Sequence, residues 1–98
     1  MAAYFVVSYK ITNPEGYEPY VPAVIPTLQA HGCDILVADY ESEVFEGEPL
    51  PVTIVLKFAS REAARTWYNS PEYQAIKHHR TDNSVGTCVL VDEWVAPA

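Results

Sequence analysis

The stretch VTIVLKF, Val52–Phe58, decides the architecture. It is rich in β-branched and aromatic residues and holds neither Gly nor Pro, which predicts a strand. Side chains alternate across a strand, so Val52, Ile54, Leu56 and Phe58 share one face while Thr53, Val55 and Lys57 share the other. Gly47, Pro49 and Pro51 precede it as a loop, and Ser60 follows it as a helix cap. The same reading outward predicts a strand over Ala3–Ile11 and another over Cys33–Tyr40, extended after a kink by Glu43–Glu46. A last strand is predicted over Val85–Val95.

Helices fill the gaps. Asn13-Pro14-Glu15 supplies a capping side chain, a proline for the first helical position and an acid near the positive dipole end. Tyr17, Tyr20, Val21, Val24, Ile25 and Leu28 then form a stripe at helical spacing. Pro19, Pro22 and Pro26 fall on the opposite side, where orphaned carbonyls can take water. The helix is expected to bend or break near Pro19 and Pro22 and to stop at Gly32. Ser60 and Ser70-Pro71-Glu72 open the remaining helical segments, with Ala63, Ala64, Trp67 and Tyr68 inward. Tyr73, Ile76, Lys77 and Arg80 share one face. Asp82-Asn83-Ser84 turns the chain into the last strand.

The order is βαββαβ in one domain, 1–98: the α+β, ferredoxin-like pattern of an antiparallel sheet with helices on one face. In that topology the second and fourth strands lie at opposite edges, which separates Cys33 from Cys88 beyond disulfide reach.

A sheet covered on one face should alternate apolar and polar. Here Phe5, Val7, Val52, Ile54, Leu56 and Leu90 serve one face, yet Tyr4, Val6, Val55, Val89 and Val91 crowd the other. Such a patch exceeds what a monomer exposes. The expectation is a homodimer with sheets packed face to face.

Composition narrows the partners. The chain carries 6 Lys/Arg against 13 Asp/Glu, a net charge of −7, and its basic residues are scattered. Nucleic acid and anionic membrane surfaces are poor partners for it. No apolar run reaches the roughly 20 residues of a membrane span, and the start lacks the charged region of a signal peptide. Two cysteines without metal-ligand spacing read as reduced thiols, which fits a cytoplasmic compartment. No nucleotide, metal or serine-hydrolase motif is present, so no cofactor is expected.

Several strings stand out together: Asn13-Pro14-Glu15 with Tyr17 and Tyr20, His31-Gly32, Phe45-Glu46-Gly47, Phe58, and the run AARTWYNSPEYQAIKHHR from Ala63 to Arg80. Ala64, Trp67, Tyr68, Ser70, Tyr73 and Arg80 in that run resemble the pattern of the domain of unknown function 1330 family. The resemblance spans essentially the whole chain. It implies a dimeric α/β barrel and no settled activity. Pro19, Pro22 and His31, which stands where an aromatic is common, depart from the pattern.

The candidate site residues each have a structural and a functional reading. Trp67, Tyr68 and Tyr73, with Tyr20 on the first helical stripe, are core aromatics or the wall of a pocket for a small organic ligand. Arg80, on an apolar stripe, needs an acceptor: a structural partner or a ligand carboxylate, which its planar fork matches. If the resemblance holds, Glu46 faces the helices as the partner of Arg80 or as a candidate general base, the one catalytic candidate. His78 and His79 diverge on a helix and read as surface residues. A remote reading comes from haem-degrading monooxygenases of the same barrel class, which use a strand Asn, a helix Trp and a helix His. Trp67 and His78 or His79 match two of these, while Ser8 or Tyr9 stands where the Asn is needed. The function expected is binding or conversion of a small, carboxylate-bearing molecule without cofactor, with a non-catalytic structural dimer as the alternative.

Overall fold

A computed structural model describes residues 1–98. Strand β1 (Ala3–Ile11) leads into a single turn of helix, α1 (Pro14–Tyr17), and then α2 (Tyr20–Ala30). β2 (Asp34–Asp39) and β3 (Val52–Phe58) follow, then α3 (Arg61–Tyr68), two short turns α4 (Pro71–Gln74) and α5 (His78–Thr81), and β4 (Ser84–Asp92). The sheet is antiparallel in the order β2-β3-β1-β4, with the helices on one face, as the ferredoxin-like reading requires. β2 and β4 are the edges, and Cys33 and Cys88 are free. No helix is long and apolar enough to cross a membrane.

Register organises each face into rows. Toward the helices run Ile35–Leu56–Phe5–Leu90 and Ala38–Ile54–Val7–Cys88. A bulge at Leu36 keeps Ile35 and Ala38 on that side. Away from the helices, Val37, Val55, Val6 and Val89 form one straight row across all four strands. The next row is Asp39–Thr53–Ser8–Thr87. The core lies between sheet and helices: Phe5, Tyr9, Leu56, Phe58, Trp67 and Tyr73 are buried there.

Local chemistry explains the boundaries. Pro19 has no N–H to give Glu15, so the first helix breaks between α1 and α2. Pro19, Pro22 and Pro26 are all exposed, and water can reach the carbonyls they orphan. Gly32, at φ 66°, ends α2. Ser60 accepts from the Ala63 N–H at 3.0 Å and Ser70 from the Tyr73 N–H at 3.3 Å, both caps as expected.

Three expectations need correction. Asn13 makes no capping bond; its Nδ2 donates instead to Asn83 Oδ1 at 3.1 Å. Asn83 O also accepts from the Thr12 and Asn13 N–H groups, which ties the turn after β1 to the turn before β4. Gly16 leaves room for this, since a Cβ there would meet the Asn83 side chain at 2.1 Å. Glu43–Glu46 adds no strand. The Ser42 N–H to Pro51 O bond (3.0 Å) and the Ser42–Thr53 hydroxyl pair (2.7 Å) close the base of the loop, and beyond them the chain turns through Gly47 at φ 92°. β4 ends at Asp92, and Trp94 stands in solvent, 82% exposed.

Candidate functional site

The site grows from tyrosines that the local structure aims inward. Tyr9 lies on the helix-facing side of β1, opposite Gly86 on β4. A Cβ on Gly86 would come within 2.1 Å of Ser8 O and 2.7 Å of Tyr9 Cβ, so only glycine lets the strands close under the Tyr9 ring. The single turn of α1 places Tyr17, and its hydroxyl pairs with Tyr9 at 2.5 Å and with Tyr40 at 2.8 Å. Past the proline break, Tyr20 meets the Tyr73 hydroxyl at 2.9 Å. Arg80, seven residues after Tyr73, donates from Nη2 to that same oxygen at 3.3 Å. Its guanidinium carbon lies 6.0 Å from the Tyr9 ring centroid and 5.9 Å from that of Tyr20, within cation–π range.

These side chains enclose a cavity of about 80 Å³ between sheet and helices. Of its 18 lining residues 17 are hydrophobic, and Arg80 is the exception. Trp67 closes one end against Tyr73, Phe58 and Phe5, its ring 4.1 Å from that of Tyr73. Its indole N–H donates to Thr27 Oγ1 at 3.0 Å, and Thr27 in turn donates to Val24 O at 2.7 Å. The indole is thereby fixed with its polar atom satisfied.

Electrostatics set the protonation states. Burial pushes the Tyr9, Tyr17 and Tyr20 phenols above their ordinary range. Neighbouring phenols raise Tyr17 and Tyr20 further, while Arg80 opposes the rise at Tyr20. These hydroxyls stay protonated at neutral pH and can donate. Burial disfavours the charge of Arg80, but the Tyr73 and Tyr20 oxygens outweigh it and hold the guanidinium more firmly ionised than usual. Burial also raises both thiols, Cys33 to about 11, with the Asp34 charge adding to it; at Cys88 the charge of Arg80 pulls the other way. Neither is a nucleophile at neutral pH.

Of the residues singled out from sequence, Tyr20, Trp67, Tyr73 and Arg80 come together at the cavity. Tyr68 is half-buried beside them, its ring 5.4 Å from Tyr73 and under the Lys77 ammonium at 5.1 Å. Glu46 does not join: it is exposed in the loop after β2, and Arg80 contacts Tyr73 rather than a carboxylate. The ion pairs are His31–Glu72 at 2.9 Å and Arg61–Asp92 at 2.7 Å, both on the outside. The expected Glu46–Arg80 pair fails because no ladder holds residues 43–50 against the sheet. His78 is exposed and His79 half-buried, their rings 4.1 Å apart rather than divergent. Neither lines the cavity, so the residues there do not fit a histidine-ligated haem. Tyr9, Tyr17, Tyr40 and Cys88 were not recognised as site residues. Tyr17 is part of the first helical stripe, and the signal for the missed tyrosines is the count of 7 in 98 residues.

An α+β fold, a four-stranded antiparallel sheet with helices on one face, defines the class, and the comparisons agree with that fold. Residues 2–94 match the family described as Domain of unknown function (DUF1330), and the chain belongs to that family. No curated protein matches it. In fold it is similar to a protein of unknown function from Rhodopseudomonas palustris, with TM-score 0.79 and 12% identity over 97% of this chain and 84% of that one. It is also similar to SnoaB, a cofactor-independent oxygenase from Streptomyces nogalater (0.59, 12%, covering 97% and 95%). A third is a dimeric protein of unknown function and ferredoxin-like fold from Bacteroides fragilis (0.59, 14%, 94% and 96%).

Proposed function

We propose that this protein is a homodimer that binds or converts a small, carboxylate-bearing organic molecule, without a cofactor, in the space between sheet and helices. The observation that carries the reading is a largely buried guanidinium in the layer between sheet and helices, with no carboxylate of the chain against it. A buried cation without an anion is costly unless something else meets it. The fold supports cofactor-free chemistry in SnoaB. The satisfied tyrosine hydroxyls and the small volume favour the second reading, a structural dimer with no ligand.

The dimer rests on the open face of the sheet. Val37, Val55, Val6 and Val89 cross it in one row, flanked by Thr53, Ser8 and Thr87. The surface of the chain is 6181 Å², against about 5,600 Å² for a monomer of its mass. Part of that surplus is the exposed valines of this face, Val37, Val85, Val89 and Val91. A second copy, as in the dimeric Bacteroides fragilis protein, is the occupant that fits.

A neutral probe tests the cavity. In a Trp94→Phe protein Trp67 is the remaining tryptophan, and titration with pentanamide should change its fluorescence saturably. A change that never saturates leaves the structural dimer as the better reading.

A further inference from the structure

The cavity and the guanidinium face different ways. All the surface that the cavity presents is apolar, so Arg80 borders it through its carbon stem and not through its nitrogens. Arg80 is only 9% exposed, and one nitrogen, Nη2, bonds to Tyr73. A guanidinium carries five N–H donors. Yet no buried side-chain nitrogen or oxygen lacks a hydrogen-bond partner. The nitrogens of Arg80 that make no bond are therefore reachable from outside, by a route other than the cavity.

That route is a second, open cleft beside the start of β4. Tyr9, Arg80 and Cys88 form the wall it shares with the cavity. Its remaining border is Tyr68, Thr81, Ser84, Val85, Gly86 and Thr87. Gly86 borders it without a side chain. Its volume is about 460 Å³, inside the ~300–1,000 Å³ range of small-molecule sites; the cavity, at about 80 Å³, is not.

We propose that this outer cleft is the carboxylate site, and that its ligand is an aromatic or similarly flat organic acid. The carboxylate meets the outward nitrogens of Arg80, and the body lies against the Tyr68 ring, with the hydroxyl of Thr81 at the rim. Ser84 Oγ is spent on Arg80 O at 2.6 Å, which fixes the end of α5 rather than the ligand. The charges around the cleft favour an anion. Lys77 stands over Tyr68, no acidic residue borders the cleft, and Asp82, next to Thr81, is exposed outside it. Arg80 pre-organised on three tyrosines loses little freedom on binding, which favours a planar, bidentate partner. The inference deepens the proposed function by separating the acid group from the cavity, and rests on that reading only for the ligand class.

Calorimetric titration of the whole protein with benzoate and with its neutral isostere benzamide decides it. Benzoate should bind at least tenfold more tightly than benzamide, and Arg80→Gln should abolish the difference. Because Arg80 is buried, Arg80→Lys provides a gentler variant: with the fold checked by circular dichroism, loss of the planar fork should weaken benzoate at least fivefold and leave benzamide unchanged. Equal affinities for the two probes in the unmodified protein, or benzoate binding that ignores Arg80→Lys, overturns the proposal. Pentanamide reports on the cavity separately. If it binds while benzoate does not, the cleft assignment falls alone; if benzoate binds while pentanamide does not, the cavity reading falls and the cleft stands.

Discussion

On the helix-covered face of the sheet Phe58 keeps 1% of its surface in contact with water; on the open face Val89 keeps 49% and Val85 57%. Both faces are built from β-branched and aromatic residues on the same four strands. The difference lies in what covers them. Helices α2 and α3 with the turns α4 and α5 seal one face, and nothing within the chain seals the other. A valine row crosses that face from edge to edge, and Asp39, Thr53, Ser8 and Thr87 form the row beside it.

Placing a charge in that valine row is the hardest blow to the comparison. Val55 sits mid-row, between Val37 and Val6. Val55→Asp should dissociate the dimer or unfold the chain, because obligate protomers are often unstable alone. Sedimentation equilibrium at micromolar concentration reads the outcome. If the unmodified protein runs as a stable, folded 10.9 kDa species, the open face is a solvated surface and the proposed dimer is gone.

Truncation on the covered face comes next. Trp67 packs on Phe5, Phe58 and Tyr73 and is 2% exposed. Trp67→Ala should cost about 3–5 kcal/mol in denaturant melts. Val89→Ala sharpens the contrast: on a wet monomer face it should cost under about 0.5 kcal/mol, and more than that where a partner buries it. A Trp67→Ala loss no larger than that of Val89→Ala would mean that the two faces are energetically alike.

Gly86→Ala probes the seam between β1 and β4. The new Cβ would strike backbone, Ser8 O at 2.1 Å, so relief requires the strands to part. Overpacking of this kind costs about 1–3 kcal/mol. Since Gly86 also shapes the outer cleft, benzoate affinity should fall with stability, and unchanged values of both would show that the edge strand yields freely.

How much of this was legible beforehand depends on how local the cause is. Val52–Phe58 carries its strand period within itself, and the Ser60 and Ser70 caps act on groups three residues away. These are local rules, and the structure follows them. Asn13 looked like a cap and became a cross-link to Asn83, a partner 70 residues away that no local rule reveals. The Glu43–Glu46 extension expected after the kink needs a ladder, and Gly47, Pro49 and Pro51 leave none. Tyr73 and Arg80 were legible together because they stand seven residues apart on one helical face, and Trp67 joined them through the family pattern. That the nitrogens of Arg80 turn away from the cavity was not, since spacing fixes the face of a helix and not the path of a long side chain.

The smallest expected effect is at the outer surface of the helical layer, where His31 after α2 meets Glu72 in α4 at 2.9 Å. The hydrogen bond from His31 holds the Glu72 carboxyl below its ordinary value of 4.5. A depressed folded pKa means that the ionised form is favoured in the folded state. Its contribution is present above the unfolded pKa and is lost as pH falls through the folded one. Glu72 is exposed, so the contribution is small and sensitive to salt. Denaturant midpoints of the unmodified protein and Glu72→Gln, taken at about pH 6 and about pH 3, test the sign. The variant should be slightly the less stable at the higher pH, and the two should converge at the lower one. A gap that widens as the pH falls would mean that the carboxylate destabilises the fold, and that the contact between the end of α2 and α4 does not help to hold down the helical layer.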